Sequence, residues 1–190
     1  MRQEGMRGIT LVELMVVIAI MAVIMGLAST GSDIIRGARK SGVTQQLLAD
    51  IQLSRIRAMT HDAHGFGIRF QSATSYVVFR FNDCNNDKWY DINSCAGHSC
   101  EEIDATVKKI PASVVLKKTN PSTNVNNDII IYDSSGVSRS ATWALGNMTI
   151  IVRNDTDETG MQCISISTTR VREGVWGWDH SASQYKCLGT

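Results

Sequence analysis

The twenty residues ITLVELMVVIAIMAVIMGLA, Ile9 to Ala28, are apolar apart from Thr10, Glu13 and Gly26, and their reading decides the fold. Twenty helical residues rise about 30 Å, the thickness of a bilayer's hydrocarbon core. Before them, MRQEGMRG carries Arg2 and Arg7 against Glu4. A short basic flank stays cytoplasmic and sends the rest of the chain outward. A secretory signal peptide has an apolar run of about 7–15 residues and an A-x-A-like cleavage site. This run is longer, and GLASTGSD matches such a site poorly. Glu13 stands out, because a carboxylate inside an apolar span costs roughly 2.5–3.5 kcal/mol, less near the membrane edge. A tolerated interfacial glutamate is the plain explanation. A cut after Gly8 would instead supply a partner, the new α-amine of Ile9 four residues away.

Composition agrees with an exported domain on a membrane handle. Of 190 residues, 43% are hydrophobic and 19% charged, which excludes a disordered tail and allows a sizeable core. Nineteen Lys+Arg against 18 Asp+Glu leave a net charge of +1. Nucleic-acid binding would therefore need a local patch rather than a global field. Five cysteines point to an oxidising compartment.

Gly8 followed by the Ile9–Ala28 run resembles the class III signal of type IV pilins and type II secretion pseudopilins. The resemblance implies cleavage after Gly8 by a prepilin peptidase and N-methylation of Ile9. It also implies that Glu13 pairs with the N-terminal amine of a neighbouring subunit. Two charges that are costly alone in lipid neutralise one another between stacked subunits. Ile9 stands where the family more often has Phe.

Beyond the span, Gly31, Gly37 and Gly42 lower helix propensity, which predicts a helix interrupted by bending or local melting. Helical periodicity resumes with Val43, Leu47, Leu48 and Ile51, and Ser54 and Ala58 continue the stripe. Arg36, Arg39, Lys40, Arg55 and Arg57 fall off it and read as a solvated face. LLADIQLSRIRAMTHDAHGFGIRF resembles the helix-to-first-strand region of the GspH/FimT subfamily, with Ser54 in place of the usual alanine. From Gly65 the period changes to two. GFGIRF, SYVVFRF, the region around ATVKKI, SVVLKK, DIIIY, MTIIVR and QCISIST read as six or seven short strands. Asn82-Asp83, Asn120-Pro121, Ser134-Ser135-Gly136 and Asp155 to Gly160 read as turns. The expected fold is α+β and type IV pilin-like, a long N-terminal helix on an antiparallel two-sheet head. Its parts are a leader (1–8), a membrane-spanning helix (9–28), an interrupted helix (29–62) and a periplasmic β head (63–190).

Four constellations bear on chemistry. Asp83, Asn85, Asp87 and Asp91 match places one, three, five and nine of a calcium loop, but Lys88 and Ser94 replace its glycine and last glutamate. A polar hairpin loop is the alternative. The cysteines at 84, 95, 100, 163 and 187 lack C-x-x-C spacing and read as disulfide staples rather than a zinc site. Two bridges among five cysteines allow about 15 arrangements. Cys163 with Cys187 would close a loop of about 25 residues, worth roughly 3–4 kcal/mol, and this closure resembles the C-terminal loop of many pilins. One pair among Cys84, Cys95 and Cys100 is then expected. His61 and His64 at the helix end read as cap and dipole partners rather than metal ligands. Arg170-Val171-Arg172 places two guanidiniums on one side of an extended chain, where they suit adjacent phosphates. Arg153 and Lys186 would join them if their strands lie close. GspH/FimT-type sequences often end with glycine-arginine-x-arginine, and such arginines bind DNA in natural-transformation minor pilins; here Thr169 replaces the glycine. Trp176, Trp178 and Tyr185 just beyond suit base stacking or packing.

No G-x-S-x-G elbow or other catalytic arrangement is present, so no enzyme is expected. The expected function is assembly, as a minor pilin or pseudopilin at or near a filament tip, without a cofactor unless calcium fills the Asp83–Asp91 loop. Expected partners are other pilin subunits, the prepilin peptidase, the inner membrane before assembly, and DNA on the alternative uptake reading. A type II secretion pseudopilin is the rival within the class.

Overall fold

The computed structural model describes residues 10–60, 65–81, 102–118, 120–125, 128–141, 144–155 and 160–189, with the side chains of 27–33, 102–104 and 120–124 set aside. The chain divides into two compact units, Met1–Ala38 and Arg39–Thr190. Helix α1 spans Leu11–Thr60. It begins at Thr10, whose Oγ1 accepts the Glu13 N–H at 3.3 Å and whose carbonyl accepts the Leu14 N–H at 3.2 Å. This is N-capping, and Glu13 sits in the first turn, where the helix dipole favours a carboxylate.

The expected interruption is absent: α1 continues through Gly31, Gly37 and Gly42. Each interior glycine costs about 1 kcal/mol relative to alanine, but propagation adds a hydrogen bond per residue once a helix is nucleated. Among the described residues no helix is long and apolar enough to cross a membrane. The stretch from Leu11 to Gly26 rises about 24 Å, and the remaining positions of the expected span, Ile9, Leu27 and Ala28, lack described side chains.

In the second unit α1 buries Val43, Leu47, Ile51, Ser54 and Ala58, the stripe expected from its period. Its other side leaves Leu53, Ile56 and Met59 exposed. Not every cation on it is solvated. Lys40 Nζ donates to the Gly160 carbonyl at 2.6 Å, and Arg55 Nε is buried without a hydrogen-bond partner.

Eleven strands follow among the described residues: β1 (Gly65–Ser72), β2 (Ser75–Phe81), β3 (Glu102–Lys109), β4 (Val114–Lys118), β5 (Asn120–Asn124), β6 (Ile129–Asp133), β7 (Ser138–Arg139), β8 (Met148–Asn154), β9 (Gln162–Ile166), β10 (Val171–Asp179) and β11 (Gln184–Gly189). They form two antiparallel sheets, ordered β3-β2-β1-β6-β7 and β11-β10-β9-β8-β4-β5. The count exceeds the expected six or seven. Asn120-Pro121 enters an edge strand rather than a turn, a place where proline's missing donor is tolerated.

One core joins helix and sheets: Leu47 and Ile51, Phe66, Ile68, Phe70 and Tyr76 of the first sheet, and Leu116, Ile150, Val152, Ile164 and Ile166 of the second. Tyr76 Oη donates to Asp50 Oδ2 at 2.7 Å, tying β2 to α1. Burial, then the bond to Asp50 and its charge, push the Tyr76 phenol far above its ordinary value. Burial likewise raises Tyr132, and Arg55 opposes it. Strands β1 and β6 approach closely at Gly67, where a Cβ would lie 2.5 Å from the Ile130 carbonyl oxygen and 2.9 Å from the Phe79 ring. After β6 the chain turns through Gly136 at φ 71°, with Asp133 Oδ1 accepting the Ser135 and Val137 N–H groups at 3.0 Å.

Candidate functional site

Two regions carry the residues singled out by sequence: the start of α1 and the β9–β11 edge of the second sheet. At the first, Glu13 lies exposed one turn after the Thr10 cap. Gly8 and Ile9 lie outside the described residues, as do His61, His64, Cys84, Cys95, Cys100, Asp83, Asn85, Asp87 and Asp91. Among the described residues no group of three metal-ligating side chains comes together. The Thr10 cap is a contribution the sequence reading missed. Its signal was present: Thr10-x-x-Glu13 is a capping-box pattern.

At the second region, Ser167 and Arg170 exchange backbone hydrogen bonds (2.8 and 3.3 Å) around Thr168-Thr169, closing β9 onto β10 with a two-residue loop. Ser138 anchors this loop from the other sheet, its N–H donating to the Thr168 carbonyl at 2.9 Å. Arg170 and Arg172 are both exposed beside it. Arg172 lies opposite Ser165, which lies opposite Thr149, placing it on the sheet face away from the main core.

Arg153 and Lys186, which would join Arg170 and Arg172 only if their strands lay close, do not come together with them. Arg153 is four residues along β8 from Thr149, about 13 Å at strand rise, and packs with its Nε buried. Lys186 lies opposite Gly177, on the reverse face from Arg172. There it pairs with Asp179, whose carboxyl is held well below the usual range by Lys186 and by Ser181. Which cations meet is decided by strand register, and spacing along the chain does not carry that information.

Cys163 and Cys187 are disulfide-bonded, their Cα atoms 5.7 Å apart. The bond crosses from β9 to β11 over β10. Buried Cys163 packs with Ile151 and Trp176 in a small cluster on the sheet's outer face. Trp176 is therefore packing. Trp178 and Tyr185 are 44% and 62% exposed, and their rings meet edge to face with centroids 5.1 Å apart. They sit where β10 has run past the end of β9: Val175 is the last β10 residue opposite β9, whereas pairing with β11 continues to Asp179. The hairpin tip overhangs the sheet.

Residues 5–29 match the family model of the prokaryotic N-terminal methylation motif. The chain carries the N-terminus of a type IV pilin-like prepilin. No curated protein and no solved structure matches the chain. The methylation motif makes this prepilin a subunit that a prepilin peptidase processes and that assembles with other pilin subunits. Its architecture of N-terminal helix followed by antiparallel sheets is consistent with a pilin-like fold.

Proposed function

We propose that this prepilin is a minor pilin or pseudopilin of the GspH/FimT type, inserted at or near the tip of a type IV-like filament. The observation that carries the reading is the methylation motif at residues 5–29 in a chain whose second compact unit, Arg39–Thr190, holds a disulfide-bonded β head. Before assembly the precursor spans the inner membrane once, with the head in the periplasm. Cleavage after Gly8 frees the Ile9 amine, which is methylated, and Glu13 of an adjoining subunit neutralises it. Thr10 serves this step by starting the helix in the turn that holds Glu13. The role is structural, not enzymatic. Calcium in the Asp83–Asp91 loop and a pair among Cys84, Cys95 and Cys100 stand as further parts of this proposal.

The deciding experiment follows a Glu13→Ala variant in cells. Cleavage and methylation are expected to continue while the subunit disappears from sheared filaments. Incorporation at the wild-type level would refute the proposed pairing. A second reading, DNA capture, is favoured by the exposure of Arg170 and Arg172 beside the β9–β10 turn. It requires binding that weakens steeply with salt and is lost in the Arg170→Ala/Arg172→Ala variant. No binding at low salt would leave the structural role alone.

A further inference from the structure

Sheet edges expose unpaired backbone groups, and proteins ordinarily protect them with proline, lysine, short strands or cover. Among the described residues three of the four edges here are so treated. β5 contains Pro121, β7 has two residues, and β3 ends in Lys108-Lys109. The fourth, β11, has six residues, QYKCLG, without proline. Its one lysine is engaged across the hairpin by Asp179.

The direction of its free groups follows from the register. Arg170 exchanges bonds with Ser167 on the β9 side, and the Trp176 N–H donates to the Met161 carbonyl. The backbone groups of even-numbered β10 residues therefore face β9. Val175, Gly177 and Asp179 face β11, opposite Leu188, Lys186 and Gln184. The N–H and C=O groups of Tyr185, Cys187 and Gly189 consequently point away from the sheet, along the open edge.

We infer that this edge pairs antiparallel with β11 of a second copy, about a two-fold axis at Cys187. In that register Tyr185 lies opposite Gly189 of the other copy and covers a residue with no side chain of its own. Lys186 lies opposite Leu188 rather than its own counterpart. An axis at Lys186 would set two like charges face to face, which is destabilising. An axis at Tyr185 would overlap far fewer residues. The chosen axis pairs Tyr185 through Gly189 with their counterparts, and Tyr185, Cys187 and Gly189 supply every outward hydrogen bond. The inference does not depend on the filament reading.

The test is sedimentation velocity of the full chain in detergent micelles, from low to high micromolar concentration. The wild type is expected to dimerise. Gly189→Pro removes an outward N–H at a position where an added Cβ meets nothing within 4 Å, and should weaken dimerisation at least tenfold or so. Leu188→Lys, facing Lys186 of the other copy, should weaken it too, whereas Leu188→Glu should not. Mass spectrometry of the Cys163–Cys187 cross-linked peptide verifies the hairpin in each variant. A wild-type monomer at every concentration overturns the inference. So does a dimer indifferent to Gly189→Pro, since its association would then reside elsewhere, as in the helices.

Discussion

Breaking the Cys163–Cys187 bond isolates how much of the head's stability lies in one cross-link. The two cysteines are 24 residues apart, and the chain-entropy relation for a loop of that size gives about 3.5 kcal/mol at 25 °C. For a cooperative unit the size of the head, each kcal/mol shifts Tm by about 2–4 °C. A Cys163→Ala/Cys187→Ala variant should therefore melt about 10 °C lower. Removing Cys163 adds a further loss, because its side chain is buried against Ile151 and Trp176. The assay is thermal unfolding followed by far-ultraviolet circular dichroism. Near-ultraviolet signal from the edge-to-face Trp178–Tyr185 pair reports on the hairpin separately. If Tm falls by less than a couple of degrees while the near-ultraviolet signal vanishes, β11 opens locally without unfolding the head. The loop closed by the disulfide would then not constrain the globally unfolded state as argued.

Three further predictions concern the head. Gly67→Ala should destabilise it by about 1–3 kcal/mol or more, since the added Cβ meets the Ile130 carbonyl and forces β1 from β6; denaturant titration reads the change. Tyr76→Phe should cost about 1.5 kcal/mol by deleting the bond to Asp50 that ties sheet to helix, and should leave the secondary structure intact. Lys186→Ala should raise the Asp179 pKa toward the ordinary carboxylate value near 4, measured by NMR titration. With the native carboxyl held low, hairpin stabilisation from Asp179 is complete above that ordinary value and fades as pH falls below it. A wild-type Asp179 titrating normally would remove this pH dependence.

The legible parts of this fold were those in which one face of an element decides its pattern. Val43, Leu47, Ile51, Ser54 and Ala58 read as a helical stripe and are buried. The strands around Ile68, Val77, Leu116, Ile130, Ile150 and Ile164 were visible as apolar runs. Strands β10 and β11 escaped because VREGVWGWD and QYKCLG alternate poorly. Trp176 is buried beside the disulfide whereas Trp178, on the same face, lies past the end of β9 and is exposed. Strand β7 is too short to carry a period. At the candidate site, the exposure of Arg170 and Arg172 was readable, but the separation of Arg153 and the capture of Lys186 by Asp179 depend on how four strands are aligned. A periodic pattern specifies which face a residue takes and leaves open which neighbours it meets there.

If the head is exported to the periplasm as proposed, the bond from Cys163 to Cys187 also bears on the order of events during that export. Cysteines emerge from a translocating chain in sequence, so Cys84, Cys95 and Cys100 all enter the oxidising compartment before Cys163, and Cys187 enters last. Cys163 must remain reduced, or exchange away an earlier partner, until the strand that bears Cys187 has been made. Maturation of this head should accordingly slow in cells lacking a disulfide isomerase, with mixed-disulfide species accumulating while secondary structure forms on time.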